Sequence, residues 1–152
     1  MTVLKFYEQS PEKQKSWIKQ MSSCDWDAGR YLGYLLDKNE FKSCCGKDAQ
    51  VYLLTDGEKL VSYCTLAEHD EIFSDNMKPW IGFVYTFPEY RGKRCSGKLI
   101  ECAVKEASEA GFESVFVSSE EKGLYEKYGF SYVTDMESEH GYMTQVFERK
   151  IK

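Results

Sequence analysis

A basic run, Arg91-Gly92-Lys93-Arg94-Cys95-Ser96-Gly97-Lys98, stands between an apolar, strand-like segment, Trp80–Thr86, and a helical stretch from about Ser96 to Ala110. This junction constrains the chain more than any other feature. Four of its eight residues are cationic, and they sit at the start of a helix. Free backbone N–H groups and the helix dipole already make that end positive, so Asp and Glu are the ordinary choice there. Each misplaced cation costs about 0.3–1 kcal/mol at an exposed site. A bound polyanion reverses the sign of that term, because N–H groups and Lys or Arg side chains together form a phosphate cradle. The competing reading is a solvated basic turn with no ligand. Leu99, Ile100, Ala103, Val104 and Ala107 share one face of the helix, Gly111 fits its stop, and the buried-type strand Ser114–Ser118 follows. A strand–turn–helix–strand unit is therefore expected at the centre of a sheet.

The remaining segments fit around that unit. Val3–Tyr7 alternates as a first strand, and Ser10-Pro11 reads as the cap and first position of a helix with Trp17, Ile18 and Met21 on its apolar stripe. A second helix after Asp27 carries Ala28, Tyr31, Leu32, Leu35 and Leu36. Gln50–Leu54 and Lys59–Leu66 read as strands joined by the hairpin signal Asp56-Gly57. Glu68–Lys78 is a polar, acidic loop. Gly82, inside a strand, marks a bulge or a close backbone approach. A short helix over Lys122–Tyr128 stops at Gly129, and strands near Phe130–Val133 and Tyr142–Glu148 follow. The order βααββ–βαβαββ predicts an α/β or α+β sheet. No repeat or linker divides the 152 residues, so one domain over 1–152 is expected.

Hydrophobic residues make up 42% and aromatics 15% of the chain, enough for a packed core and too much for a disordered tail. A formal net charge of −5 disfavours general nucleic-acid binding, so any anion site must be local. No apolar run approaches the ~20 residues of a membrane span. The start, Met1 to Gln14, lacks an apolar signal core, so a cytoplasmic chain with no membrane partner is expected. Cys24, Cys44, Cys45, Cys64, Cys95 and Cys102 form no Cys-x-x-Cys pair, and His69 and His140 lie far apart in sequence. A structural zinc site is not expected, and the cysteines read as reduced thiols. The vicinal pair Cys44–Cys45 fits a redox site or, more simply, core packing.

Two cradle types suit a basic loop that opens a helix. Gly92-x-x-x-x-Gly97-Lys98 has the spacing of a nucleotide P-loop, but Leu99 stands where Ser or Thr would ligate Mg²⁺. The strand Val115–Val117 offers no Asp for that metal. In the other frame, Pro88 to Leu99 resembles the pyrophosphate loop of the GNAT superfamily of acyl-CoA-dependent N-acetyltransferases, Arg/Gln-x-x-Gly-x-Gly/Ala. Arg91 stands first, Arg94 replaces the middle glycine and Ser96 takes the small last position. A second stretch, Gly123-Leu124-Tyr125-Glu126-Lys127-Tyr128-Gly129-Phe130, resembles the family's fourth helix and its Gly-Phe exit into a strand. The asparagine that many members place before this helix is absent, with Ser118, Ser119 and Glu120 in that region. The two motifs lie ~30 residues apart, as a βαβ unit demands.

The resemblance implies an α/β (α+β) fold with a mixed, mostly antiparallel central sheet flanked by helices. Its fourth and fifth strands, Trp80–Thr86 and Ser114–Ser118, would splay apart. It implies acetyl-CoA as cosubstrate and no metal. The pantetheine arm would pair with the backbone of Val84, Tyr85 and Thr86 like an added strand. Arg91, Gly92, Lys93, Arg94, Cys95, Ser96 and Gly97 would hold the pyrophosphate. The implied reaction is direct acetyl transfer to a primary amine of a small molecule or peptide, by a monomer or homodimer. Such transfer needs a neutral amine, an oxyanion donor and an acid for the departing thiolate. Tyr125 matches the family's thiolate-protonating tyrosine. An alkylamine has a pKa of ~10.4, so a base or water relay helps at neutral pH. Glu68, His69 and Asp70, after the third strand, are the candidates, with Glu68 expected as the base. Asp70 is expected to bind the acceptor, in an acidic wall with Glu71 and Asp75 that favours cationic amines. Asp25 and Asp27 would line the opposite wall. Cys95 reads as a packed thiol rather than an acyl carrier. A non-catalytic acyl-CoA-binding module on the same fold is the other reading, and the presence of Tyr125 argues for the enzyme.

Overall fold

The computed structural model describes residues 1–72 and 74–151. Its strands are β1 (Thr2–Lys5), β2 (Gln50–Asp56), β3 (Lys59–Ala67), β4 (Trp80–Thr86), β5 (Ser114–Ser119), β6 (Ser131–Glu137) and β7 (Met143–Lys150). The helices are α1 (Pro11–Ser22), α2 (Asp27–Asp37), α3 (Phe41–Cys45) and α4 (Cys95–Glu109). The strands form one sheet in the order β1-β2-β3-β4-β5-β7-β6. Every neighbouring pair is antiparallel except β4 and β5, which run parallel. These two meet at a single residue pair, Trp80 with Phe116, reinforced by the Phe116 N–H donating to the Pro79 carbonyl at 3.0 Å. Beyond that point they diverge. The mostly antiparallel sheet with splayed fourth and fifth strands is the expected architecture.

Both faces of the sheet are covered. Alternation along β2 sends Tyr52 and Leu54 toward α4, where they pack with Val61, Ile81, Leu99, Ile100, Ala103 and Val115. Val51 and Leu53 face the other way, into a core with Trp17, Met21, Leu32, Leu35 and Tyr63. This two-sided cover explains why β3 is buried along nearly its whole length. The predicted apolar face of α4 is buried residue for residue, and Gly111 follows the helix at φ +94°.

Several local expectations need correction. The hairpin turn lies at Gly57-Glu58, because Asp56 already pairs with Lys59. The first strand stops at Lys5, and Phe6–Glu8 form a 3-10 turn. On α2 the buried stripe is Gly29, Leu32, Gly33, Leu35 and Leu36, while Tyr31 is exposed. The glycines are what let α2 approach: a Cβ on Gly29 would lie 2.1 Å from the Tyr63 hydroxyl. The short helix α3 was not visible in the apolar pattern. Lys122–Tyr128 is not an α-helix; Gly123 takes φ +83° and only Tyr125–Tyr128 wind, as a 3-10 turn.

β4 carries the bulge that Gly82 suggested. Tyr63 pairs with Tyr85 and Thr65 with Gly82, so Phe83 and Val84 together oppose Cys64. Phe83 lies at φ +48°, a strained conformation that costs on the order of 1–3 kcal/mol for a non-glycine residue.

Candidate active site

The gap between β4 and β5 opens into a cavity of about 770 Å³. Val84, Tyr85 and Thr86 line it from β4, and Arg91, Gly92, Arg94, Cys95 and Ser96 from the loop and first turn of α4. Leu124 and Tyr128 line the far side. Arg94 caps α4 at φ 58° and ψ 31°, the left-handed conformation that glycine adopts freely. The arginine at the glycine position therefore keeps the glycine-type turn. Gly92 is also left-handed, at φ +83°. The first turn of α4 holds no acidic residue, so its free N–H groups and the loop cations act in the same sense.

Of the predicted loop residues, Lys93 and Gly97 are not part of this lining. Arg91 lies along β4: its Nε donates to the Thr86 carbonyl at 2.9 Å and its guanidinium stands 5.5 Å from the Tyr85 ring centre. Cys95 is buried, its thiol directed to the Tyr90 carbonyl at 3.7 Å. Gly97 faces away, beneath Tyr128, where a Cβ would come within 2.8 Å of the ring. Lys93 is exposed and is not part of the lining. Tyr85 turns its carbonyl to the Ser62 hydroxyl on β3, and its own hydroxyl donates to Asp25. That bond, with the Arg91 charge, holds the Asp25 carboxyl below its ordinary pKa. Trp26 stacks on Tyr85 with ring centres 5.7 Å apart.

Along the same gap a second cavity, about 480 Å³, is lined by Gly82, Phe83, Val84, Val117 and Tyr125 and by the carboxylates Asp70, Glu71, Glu120 and Glu121. Val84, Trp26 and Glu121 belong to both cavities. Tyr125 is 6% exposed, with Phe130 and Phe147 around its ring. Burial, then the charges of Glu121 and Asp70, push its phenol pKa up, so it holds its proton at neutral pH. A third, smaller cavity of about 160 Å³ adjoins the second through Trp26, Asp70, Glu71, Phe83 and Tyr142, and adds Tyr31, Cys44, Cys45, Glu139 and His140.

Of the acidic residues singled out in the sequence, Asp70 and Glu71 stand in this region. Burial raises the Asp70 pKa to about 7, with Glu71 and Glu139 adding to the effect. Glu68 does not join them. Its carboxylate is 3.6 Å from Lys78, its Cβ packs against Gly46, and it lines none of the three cavities. The cause is local: β3 ends at Ala67, and the His69 N–H is fixed to the Cys45 carbonyl at 2.9 Å. That anchor leaves Glu68 outside and lets the chain turn Asp70 inward. Asp75 is exposed, and Asp27 pairs with Arg30. Sequence reasoning missed Trp26, Glu139 and Tyr142. Trp26 carried a signal, a large aromatic between two aspartates in a helix–helix connection; the other two carried none, because they reach the site through the β6–β7 turn. All six cysteines are free thiols. Among the described residues no helix is long and apolar enough to cross a membrane, and no three His, Cys, Asp or Glu side chains are grouped to hold a metal ion.

A family model described as an acetyltransferase (GNAT) domain matches residues 47–132. The chain matches no curated protein. Among solved structures, an aminoglycoside 6'-N-acetyltransferase from Enterococcus faecium is similar with a TM-score of 0.74 at 11% identity, covering 100% of this chain and 98% of that one. An aminoglycoside 6'-N-acetyltransferase complexed with coenzyme A gives 0.72 at 11% identity, with coverage of 100% and 98%. An acetyltransferase from Streptococcus agalactiae gives 0.67 at 18% identity, with coverage of 99% and 98%. At such identities the likeness is one of fold.

Proposed function

The chain belongs to the GNAT acetyltransferase family, and from that membership we propose that it moves the acetyl group of acetyl-CoA directly to a primary amine of a small cationic molecule or a peptide. One observation carries the reading: two cavities that share Trp26, Val84 and Glu121 lie where β4 and β5 diverge, one lined by the basic helix-opening loop and the other by Tyr125 and Asp70. In this reading, the N–H groups from Gly92 to Ser96 and the cations Arg91 and Arg94 bind the pyrophosphate. Val84 aligns the pantetheine arm along the free edge of β4. The bulge at Phe83 and Val84 leaves backbone N–H capacity beside the thioester, where it would steady the developing oxyanion. Tyr125, kept neutral by burial, is the acid for the leaving thiolate. The carboxylates Asp70, Glu71 and Glu139, with the Trp26 and Phe83 rings, favour an ammonium-bearing acceptor.

Thermal shift and product analysis test the reading together. Acetyl-CoA at 100 times its dissociation constant is expected to add ~2.7 kcal/mol to folding stability, whereas ATP–Mg²⁺ is expected to add none. Mass spectrometry of an amine panel incubated with acetyl-CoA is expected to show acetylated product. Stabilisation by ATP–Mg²⁺ alone would overturn the cofactor assignment. Tight acetyl-CoA binding with no product from any amine would favour a non-catalytic acyl-CoA-binding module.

A further inference from the structure

Asp70 and Glu71 are neighbours in sequence and line the same two cavities, yet their surroundings divide them. The Glu71 carboxylate accepts from the Ser118 hydroxyl of β5 at 2.8 Å and from the Tyr142 hydroxyl ahead of β7. Its backbone carbonyl accepts the Glu139 N–H at 2.8 Å. Glu71 thus clasps the β3–β4 loop, β5 and the β6–β7 turn, and both of its carboxylate oxygens are engaged. Asp70 meets the backbone N–H of Glu71, and its charged neighbours from other elements are acidic. Tyr125 and the α3 thiol of Cys45 feel its charge, and Glu120, Glu121, Tyr142, Cys44 and His140 line the two cavities it shares.

Gly82 explains how Asp70 reaches its position. A Cβ built on Gly82 would fall 2.3 Å from Asp70 Oδ1 and 2.8 Å from its Cγ. A side chain in that place on β4 would collide with the carboxylate. The glycine therefore opens a slot in the sheet, and Asp70 occupies it between the Tyr125 cavity and the Trp26–Tyr31–Glu139 cavity.

We propose that Asp70 is the proton acceptor for the amine, with Gly82 and Glu71 as the residues that position it. The inference rests on the acetyl-transfer reading above. Asp70 takes the proton that converts the incoming ammonium to a neutral amine and returns it to water. The nitrogen lone pair forms the bond to the thioester carbonyl carbon, and the C–S bond breaks with its electron pair on sulfur. Tyr125 gives its proton to that sulfur, and the second nitrogen proton restores the tyrosine hydroxyl. The products are an amide, a free thiol and one proton in water. An acceptor with a burial-raised pKa near 7 suits this task, since it can both take and release a proton at neutral pH. Two adjacent carboxylates are thereby given two roles by their environments.

The test compares wild type, Asp70→Asn and Gly82→Ala in the full chain, with acetyl-CoA and two probe acceptors. One is 1,5-diaminopentane, protonated at pH 7; the other is 2,2,2-trifluoroethylamine, largely neutral there. Acetyl-CoA affinity is measured separately by titration. With the diamine, Asp70→Asn is expected to lower kcat ~10²–10⁴-fold and to remove the rise of rate through pH 7, with acetyl-CoA affinity unchanged. With trifluoroethylamine the defect is expected to shrink to under about ten-fold, because no proton need leave before attack. Gly82→Ala keeps every charge but displaces the carboxylate, and is expected to repeat the diamine defect. Equal losses with both amines, or retention of wild-type kcat with the diamine, would overturn the role of Asp70. Absence of wild-type turnover with both amines, despite acetyl-CoA binding, would instead overturn the acetyl-transfer reading.

Discussion

The desolvation of Asp70 has a consequence that needs no substrate. Its carboxyl has a pKa of ~3.9 in an unfolded chain and about 7 in the folded one. Between those values the native state holds a proton that the unfolded state has released. The native state then binds more protons, so stability falls as pH rises. The full contribution is present below about pH 4 and is lost once pH passes about 7. At ~1.36 kcal/mol per pH unit the interval amounts to about 4 kcal/mol, an upper bound because Asp70 keeps some access to solvent. Asp70→Asn replaces the carboxyl by a neutral group of nearly the same shape. The difference in unfolding free energy, variant minus wild type, is expected to rise by about 2–4 kcal/mol between pH 4.5 and pH 8. With urea m-values of ~1–3 kcal/mol/M, the gap in midpoints widens by about 1 M or more. Urea unfolding at the two pH values, followed by tryptophan fluorescence without acetyl-CoA, measures it. Titrating groups that do not interact with Asp70 cancel in the comparison. Parallel curves, with the gap constant within about 0.5 kcal/mol, would refute the buried position of this carboxylate.

Other perturbations read the loop and the acid. Arg94→Gly relieves a left-handed residue and is expected to recover up to ~1 kcal/mol of stability in urea unfolding. It is also expected to weaken acetyl-CoA binding, so gain in one assay and loss in the other separate strain from charge. Arg91→Ala is expected to reduce affinity for acetyl-CoA more than for a dephosphorylated pantetheine thioester, by calorimetric titration; equal losses would deny it a phosphate role. Tyr125→Phe is expected to lower single-turnover rate ~10²–10⁴-fold while leaving acetyl-CoA affinity and melting temperature nearly unchanged, since the ring still packs on Phe130 and Phe147. Wild-type turnover would return Tyr125 to the core.

The central strand–loop–helix–strand unit was legible in the sequence because each part has a strong local cause. The α4 stripe follows helical spacing, Gly111 follows its end, and the basic run marks the turn that opens the helix. The glycine inside β4 pointed to an irregularity, and both a bulge and a close approach occur there. What failed was extrapolation past the end of an element. Glu68 follows directly on β3, but the His69–Cys45 backbone bond reorients the chain, and the residue two positions on reaches the cavity instead. Helical spacing puts Tyr31 on the apolar stripe of α2, whereas close packing there is made by Gly29 and Gly33 and Tyr31 is exposed. The clasp from Glu71 to Ser118 and Tyr142 joins residues 47 and 71 positions apart. No local pattern encodes such a contact.

The single shared pair at Trp80 and Phe116 divides the sheet into two hydrogen-bonded panels, β1 to β4 and β5 with β7 and β6. Trp80, Phe116, Ile72 and Val146 pin them at one end, and the apolar face of α4 spans both. Backbone amides along the divergent edges are outside the ladder, so each panel can open without breaking the other's bonds. Amide hydrogen exchange in the free chain should therefore resolve two protection classes, with the β4 edge at Val84 among the fast exchangers. A ligand laid along that edge supplies the missing rungs. Exchange in the liganded chain should then slow on both panels together, and its unfolding should become a single cooperative event.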